Sequence, residues 1–314
     1  MNLFMNKALL FRYDEAFERN IGIVSEKEQK IIRKSRVAVA GLGGIGGICA
    51  EGLMRLGIDN ITIADGDEFD LINFNRQAGA SVSSVGTSKV YTMRDRMLDI
   101  NPEADIRTIN TFLTEDNIDE FLEHADIVLD AIDAFCPCAH RLLHRKAREQ
   151  GKPVIFAAPL GFSCAVLVFS PEGMDADTYF DWRDGQSETE QVLHLAMGTA
   201  PKGLHIKVMD TRYVDIENRL APSNTAACML CAGVVVNTVT KLLLGRGKIR
   251  FVPYYMQFDP YILKFRQGRL RRGMRGLWQR IKKQILLRML RKGRMLRVEN
   301  RCQKTDVRKE RALL

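Results

Sequence analysis

Ser35-Arg-Val37-Ala-Val-Ala40-Gly41-Leu-Gly43-Gly44-Ile-Gly46-Gly is the stretch that decides the fold. Val37–Ala40 is a short apolar run with no polar alternation, which reads as a parallel strand buried on both faces. It breaks at Gly41, and Gly46–Leu56 reads as a helix stopped by Gly57. Between them lies a G-x-G-x-x-G: glycines let a backbone approach phosphate, and the following helix N-terminus presents free N–H groups and positive potential. Asp65 follows Gly46 by 19 residues. It ends a second predicted strand, Ile61–Ala64, where a carboxylate accepts from ribose hydroxyls.

Outward from this centre the pattern alternates. Residues 13–35 predict a helical lead-in, with Ser25 and Glu28 spaced as a capping box. Lys89–Asp99 predicts a helix ended by Asn101-Pro102, and Ala104–Ile109 a third strand. Ile127–Ile132 predicts a fourth strand and a helix follows to about Gln150. Val154–Ala158 and Ala165–Phe169 continue as strands, Ala232–Leu244 as a buried helix and Ile249–Phe258 as a strand. The fold class is α/β, a Rossmann-like doubly wound sheet continued by further strands. Residues 170–227 are less periodic and predict loops or a crossover without a core of their own.

The 314 residues are 46% hydrophobic and 27% charged, which excludes a disordered, collagen-like or disulfide-scaffold chain. No uninterrupted apolar run reaches the ~18 residues of a membrane span; the best stretch, Ala232–Leu244, is broken by Asn237, Thr238, Thr240 and Lys241. Met1–Leu10 lacks a small-residue cleavage site, so no signal peptide is read. Seven cysteines, an odd count, point to free thiols and a cytoplasmic location. The net charge of +9 divides unevenly: residues 264–314 hold 19 Lys and Arg against 3 Asp and Glu, and residues 1–263 hold 28 against 35. Three regions follow: an N-terminal helical arm (1–35), a nucleotide-binding domain (36–263) and a basic tail, amphipathic or disordered (264–314).

The glycine motif alone says only nucleotide, and an NAD-dependent oxidoreductase satisfies it. The residues beyond it fit other chemistry. Asn73-Phe-Asn75-Arg76-Gln77 sits past the second strand, Lys89 opens the next helix, and Asp133 falls at the end of the fourth strand. Cations beside phosphates, with a carboxylate to hold Mg²⁺, suit the breaking of an α–β phosphoanhydride rather than hydride transfer.

At these positions the chain resembles the ubiquitin-activating-enzyme-like adenylyltransferases, the thiamine-biosynthesis and molybdopterin-synthase type, together with the tRNA threonylcarbamoyladenosine dehydratases. The resemblance runs over about residues 13–170 and more weakly over 220–260. It rests on Arg19-Asn20, the Ser35–Gly47 stretch, Asp65-Gly-Asp67, Asn73-Phe-Asn-Arg76-Gln77, Lys89 and Val128-Leu-Asp-Ala-Ile-Asp133. It implies ATP held by Gly41, Gly43, Gly44, Gly46, Asp65, Asp67, Asn73, Arg76, Gln77 and Lys89, with Mg²⁺ on Asp133. It implies a homodimer in which Arg19 reaches the other subunit's ATP, making Arg19, Asn73, Arg76, Lys89 and Asp133 the catalytic set. One spelling departs from the pattern: after Arg12-Tyr13, Glu15 stands where a second arginine is usual. A solvated helix residue is the alternative reading of Arg19.

Relatives that hold a structural zinc carry two C-x-x-C pairs. Here Cys228-Met-Leu-Cys231 is one pair, short of the four ligands of a closed site, so zinc is not expected. Cys228 as a thioester-forming nucleophile stands against core packing for Cys228, Cys231 and Cys164. Cys136-Pro-Cys138-Ala-His140 with His144 reads as a helix start bearing surface histidines, with metal binding as the alternative. In the tail, Trp278, Ile281, Ile285 and Met289 recur at helical spacing among Arg and Lys. That pattern suits an anionic membrane surface or an acidic partner, with nucleic acid less favoured, and would place the protein at the membrane periphery.

The function these readings give is ATP-dependent adenylation of a substrate carboxylate, such as the C-terminus of a ubiquitin-like, sulfur-carrier or other peptide or protein, yielding an acyl-adenylate and pyrophosphate. A tRNA-modifying carboxylate-activating dehydratase and a non-catalytic nucleotide-binding docking module are the alternatives.

Overall fold

The computed structural model describes residues 11–288. Met1–Leu10, Met289 and the rest of the tail, Cys302 included, lie outside the described residues. One eight-stranded sheet organises the chain in the order β3-β2-β1-β4-β5-β6-β7-β8. The strands are β1 Arg36–Ala40, β2 Asn60–Ala64, β3 Asp105–Ile109, β4 Ile127–Asp130, β5 Val154–Leu160, β6 Ser163–Phe169, β7 Tyr254–Asp259 and β8 Lys264–Arg269. The first five are parallel and the last three antiparallel.

The helices are α1 Glu26–Lys34, α2 Gly46–Leu56, α3 Lys89–Leu98, α4 Ile118–Leu122, α5 Pro137–Glu149, α6 Ala176–Phe180, α7 Glu188–Thr199 and α8 Thr225–Leu243. One-turn helices at Tyr13–Ala16 and Glu18–Asn20 precede them. The Ser25–Glu28 capping box forms: Ser25 N donates to Glu28 Oε2 at 2.8 Å, and Glu28 N donates to Ser25 Oγ at 3.3 Å.

The central strand shows why the sheet is covered on both sides. Val37 and Val39 join a core with Leu53, Met93, Cys231 and Val235, beneath α2, α3 and α8. Ala38 and Ala40 face the other way, against Phe121, Leu143, Phe156 and Phe180. Alternate residues of one strand thus feed two cores, and small alanines make room for the aromatic side. β1 pairs with β2 on one edge and β4 on the other, so the chain leaves β1 and β4 in opposite directions. Their C-terminal ends form the crevice in which doubly wound folds bind ligands.

Four sequence readings are corrected. The fourth strand stops at Asp130 rather than Ile132: Ala131 N donates to Ala40 O at 2.9 Å, and the chain then turns off the sheet. Asp133 therefore lies in the loop after the strand, three residues beyond its end. The helix placed at Ala232–Leu244 begins seven residues earlier, at Thr225, where Asn224 Oδ1 caps Ala227 N at 3.0 Å. Residues 170–227 contribute to the core through α6, α7 and the buried Tyr179, Phe180 and Trp182. The strand read at Ile249–Phe258 begins only at Tyr254, because Pro253 has no N–H for the ladder. In addition, β8 begins at Lys264, the residue read as the start of the tail, so the sheet runs through that position.

α8 is long and apolar enough, by length and composition, to cross a membrane. In the fold it packs against β5, β6 and α2, with Cys228, Cys231, Val235 and Val239 buried.

Candidate active site

The site grows from the β1–α2 turn. Gly41 has φ +89°, and a Cβ there would sit 2.5 Å from the Ala131 carbonyl oxygen. A Cβ on Gly46 would sit 1.8 Å from the Gly41 carbonyl oxygen. Any side chain at either position closes the turn against its own backbone or the β4 loop. Asp65 braces the loop from β2: Oδ2 accepts from Leu42 N at 2.6 Å and Oδ1 from Asp67 N at 2.8 Å. Burial pushes the Asp65 carboxyl up, against the pull of Lys89 and these two N–H groups.

Lys89, first residue of α3, is buried and donates to Asp67 Oδ2 at 3.0 Å, while Asp67 itself is half exposed. Asn73 is buried at the end of the turn Leu71–Asn73, and its Oδ1 accepts from Asp70 N at 2.9 Å. Arg76 donates through Nη1 to Ile72 O at 3.1 Å and to Asn75 Oδ1 at 2.9 Å. Its Cγ and Cδ lie 3.5 Å from where a Cβ on Gly44 would be. Gln77 is buried beside Gly43, with Nε2 3.7 Å from the corresponding point and Oε1 without a partner among the described residues. The loop, Asp65, Asp67, Arg76, Gln77 and Lys89 thus surround one end of the sheet.

Asp133 reaches the same edge from β4. It is exposed; Oδ1 accepts from Phe135 N at 3.1 Å, and Oδ2 makes no hydrogen bond among the described residues. Arg19 is not brought to this end of its own chain. It is exposed on the turn Glu18–Asn20, and neighbouring Asn20 donates to Leu56 O at 3.0 Å, at the far end of α2 from the glycine loop.

The histidines read as surface residues are buried, and this is the feature the sequence reading missed. His140 Nδ1 lies 2.7 Å and His144 Nε2 2.9 Å from Asp130 Oδ2. His140 Nε2 also lies 3.1 Å from the Asp133 carbonyl oxygen. Both ring nitrogens of His140 thus face an oxygen. Burial alone would raise Asp130, but the two imidazoles hold it well below the usual carboxylate range. The i, i+4 spacing of the histidines, one turn into a helix that follows an Asp-ended strand, was the available signal. Among the described residues, no three His, Cys, Asp or Glu side chains converge as a metal site.

Cys228 packs its Sγ 2.9 Å from the Cβ position of Gly44, directly under the glycine loop. Burial pushes its thiol up, with Arg76 pulling the other way, so the neutral thiol is favoured over the thiolate a nucleophile needs. Cys231 is buried in the core with Cys164, Cys228 and Cys49 as neighbours, all of them free thiols. Beside the site, a cleft of about 570 Å³ opens at the β5–β6 turn. Phe162, Val208, Met209, Tyr213, Leu220 and Pro222 give it a largely apolar wall. Asn75 Nδ2 donates to Ser223 O on its rim at 2.8 Å and joins it to the Arg76 turn.

Fold and site together define a nucleotide-binding α/β domain with cations and a carboxylate at the crevice. The chain belongs to the ThiF family, whose profile matches residues 17–275. Its relatives include the tRNA threonylcarbamoyladenosine dehydratase of Bacillus subtilis (strain 168), 38% identical over 140 residues, 44% of this chain and 54% of that protein. The molybdopterin-synthase adenylyltransferase of Haemophilus influenzae is 31% identical over 153 residues, 49% and 62% of the two chains. The chain spans about half the length of the curated relatives it matches. Among solved structures, PaaA superposes with a TM-score of 0.61 at 21% identity, covering 82% of this chain and 73% of that one. Escherichia coli MccB, solved with AMPCPP and MccA, gives 0.58 at 18% identity, covering 78% and 66%. At these identities the two structures show likeness of fold.

Proposed function

We propose that this protein adenylates a substrate carboxylate with ATP, and that the carboxylate is the C-terminus of a peptide or protein. The observation that supports the reading is that Arg76 packs against Gly44, Lys89 pairs with Asp67 beside the Asp65 brace, and Asp133 follows β4, all past the C-terminal ends of the parallel strands. An NAD oxidoreductase has no use for that trio. A docking module without turnover has no need to keep it.

The residues present fit ATP. The loop closed by Gly41 and Gly46 leaves a cradle that a Cβ would fill, and Gln77 Nε2 lies beside Gly43, where its N–H groups would donate to a phosphate. They also fit Mg²⁺, which is bound through one or two carboxylates plus substrate phosphates rather than an all-protein cage. Asp133 would hold it, and the ion, when bound, neutralises charge building on the pyrophosphate.

In the reaction a carboxylate oxygen attacks the α-phosphorus in line, the bond to the bridging oxygen breaks and pyrophosphate leaves. No proton moves, so the site needs no acid or base. The chain's part is to position and to stabilise charge. Asp65 orients the ribose, Asn73, Arg76 and Lys89 hold the phosphates, and Lys89 exchanges Asp67 for a phosphate oxygen. Arg19, remote from its own loop, acts on the partner's nucleotide in a two-fold dimer. The apolar cleft beside Arg76 receives the residues preceding the substrate carboxylate. A peptide substrate is consistent with the fold neighbour MccB, whose structure was solved together with MccA.

A second reading is favoured by the names of the relatives at 38% and 36% identity, both tRNA threonylcarbamoyladenosine dehydratases. There the activated carboxylate would sit on a tRNA base. Hydroxylamine trapping separates the two. The protein is incubated with ATP, Mg²⁺ and source-cell extract, and the hydroxamates are read by mass spectrometry. A hydroxamate on a peptide or protein C-terminus supports the first reading, and one on a tRNA nucleoside replaces it with the second.

A further inference from the structure

Past β8 the chain turns under α6 and enters a helix over residues 277–288, at the end of the described residues. One side of this helix faces the domain. Gln279 is buried, Lys283 donates to Glu190 Oε1 at 2.6 Å, and Lys282 donates to Pro201 O at 2.7 Å. The other side is apolar and open. At about 100° per residue, Leu277, Trp278, Ile281 and Ile285 share one arc roughly opposite Gln279 and Lys283. They are 70, 74, 42 and 51% exposed. Arg280 lies beside the arc and Arg288 falls within it at the end of the described helix, and the sequence continues with Arg291, Lys292, Arg294 and Arg297.

We propose that this outward face docks the protein on an anionic lipid bilayer, with the apolar arc in the headgroup–acyl boundary and the arginines and lysines on anionic headgroups. The helix already spends one face on its own domain, so intramolecular packing does not account for the second. A second copy of the chain is a poor occupant, because each copy brings the same 19 Lys and Arg against 3 Asp and Glu over 264–314. A nucleic acid would engage the cations but leave Leu277, Trp278, Ile281 and Ile285 in water. A bilayer surface matches both halves of the pattern, and an indole at the rim of such an arc sits where tryptophan prefers to lie.

The two tryptophans make the test direct. Trp182 is 3% exposed, with its indole N–H bonded to Gln191 O at 3.0 Å, so a change in emission on binding reports Trp278. The full chain is mixed with phosphatidylcholine vesicles with and without about 30% phosphatidylglycerol, at about 0.15 and 0.5 M salt. The expected result is a blue shift and co-flotation with the anionic vesicles, reduced but still present at the higher salt. Trp278→Ser/Ile281→Ser should bind about ten-fold or more weakly, with the Trp182 emission as the check on folding. Three results overturn the proposal: no partition onto anionic vesicles, partition unaltered in the double variant, or transfer RNA binding both proteins equally while vesicles bind neither.

Discussion

A methyl group added to Gly44 would meet the Cys228 sulfur at 2.9 Å, closer than carbon and sulfur tolerate. Gly44→Ala is expected to lose about 1–3 kcal/mol in urea unfolding, the range for an overpacked core. Cys228→Ala in the same chain should recover most of it, because it removes the atom in the way; independent, additive losses would show that the contact does not matter. At this scale the glycine loop was legible from sequence, since its spacing is a local property of a strand, a turn and a helix. The seat of Cys228 beneath it was not, because 184 positions separate the two in the chain and only α8 packing on α2 and β6 brings them together. The pair Asn75 and Ser223 was hidden for the same reason.

β4, its following loop and α5 form the element that holds Asp133. The two carboxylates near it behave oppositely. Asp130 is fully buried between His140 and His144, while Asp133 is exposed with one free oxygen. Asp130→Ala removes the anion and strands two inward imidazoles, and is expected to cost about 3–5 kcal/mol. Asp133→Ala should stay within about 0.5 kcal/mol of wild type, as surface changes do. Thermal or urea unfolding of the two variants checks both; equal losses would contradict the division of roles. The sequence placed the strand end at Ile132 because Ala131 and Ile132 extend the apolar run. The ladder stops earlier because the Asp130 carboxylate turns into the histidines and also takes Ile132 N, at 3.3 Å. Burial of His140 and His144 was hidden because they share the inner face with Leu143 and Ala147, and histidine by itself marks neither face of an amphipathic helix.

For the whole molecule, the open question is where Arg19 acts. Its remoteness from the glycine loop of its own chain is what a trans role requires. Two inactive variants, Arg19→Ala and Asp133→Ala, mixed and allowed to exchange subunits, should regain about a quarter of wild-type turnover. In the proposed two-fold dimer half the dimers would then be mixed, with one of the two sites in each intact. No recovery after verified exchange would place Arg19 outside the reaction. At this scale the doubly wound α/β class followed from the alternation of strand and helix, and the strand order came from the fold. The contribution of α6 and α7 did not, since Tyr179, Phe180 and Trp182 lie in a stretch whose Gly, Pro and polar residues mask its apolar anchors.

Everything proposed for the crevice rests on Arg76, Lys89 and Asp133 making and reversing an acyl-adenylate there. ATP–pyrophosphate exchange with Mg²⁺, run with and without source-cell extract and repeated with Asp133→Ala, measures that step. Exchange should depend on extract and fall about a hundred-fold or more in the variant. Tight ATP binding with no exchange, or exchange undiminished in Asp133→Ala, would contradict adenylation at this site.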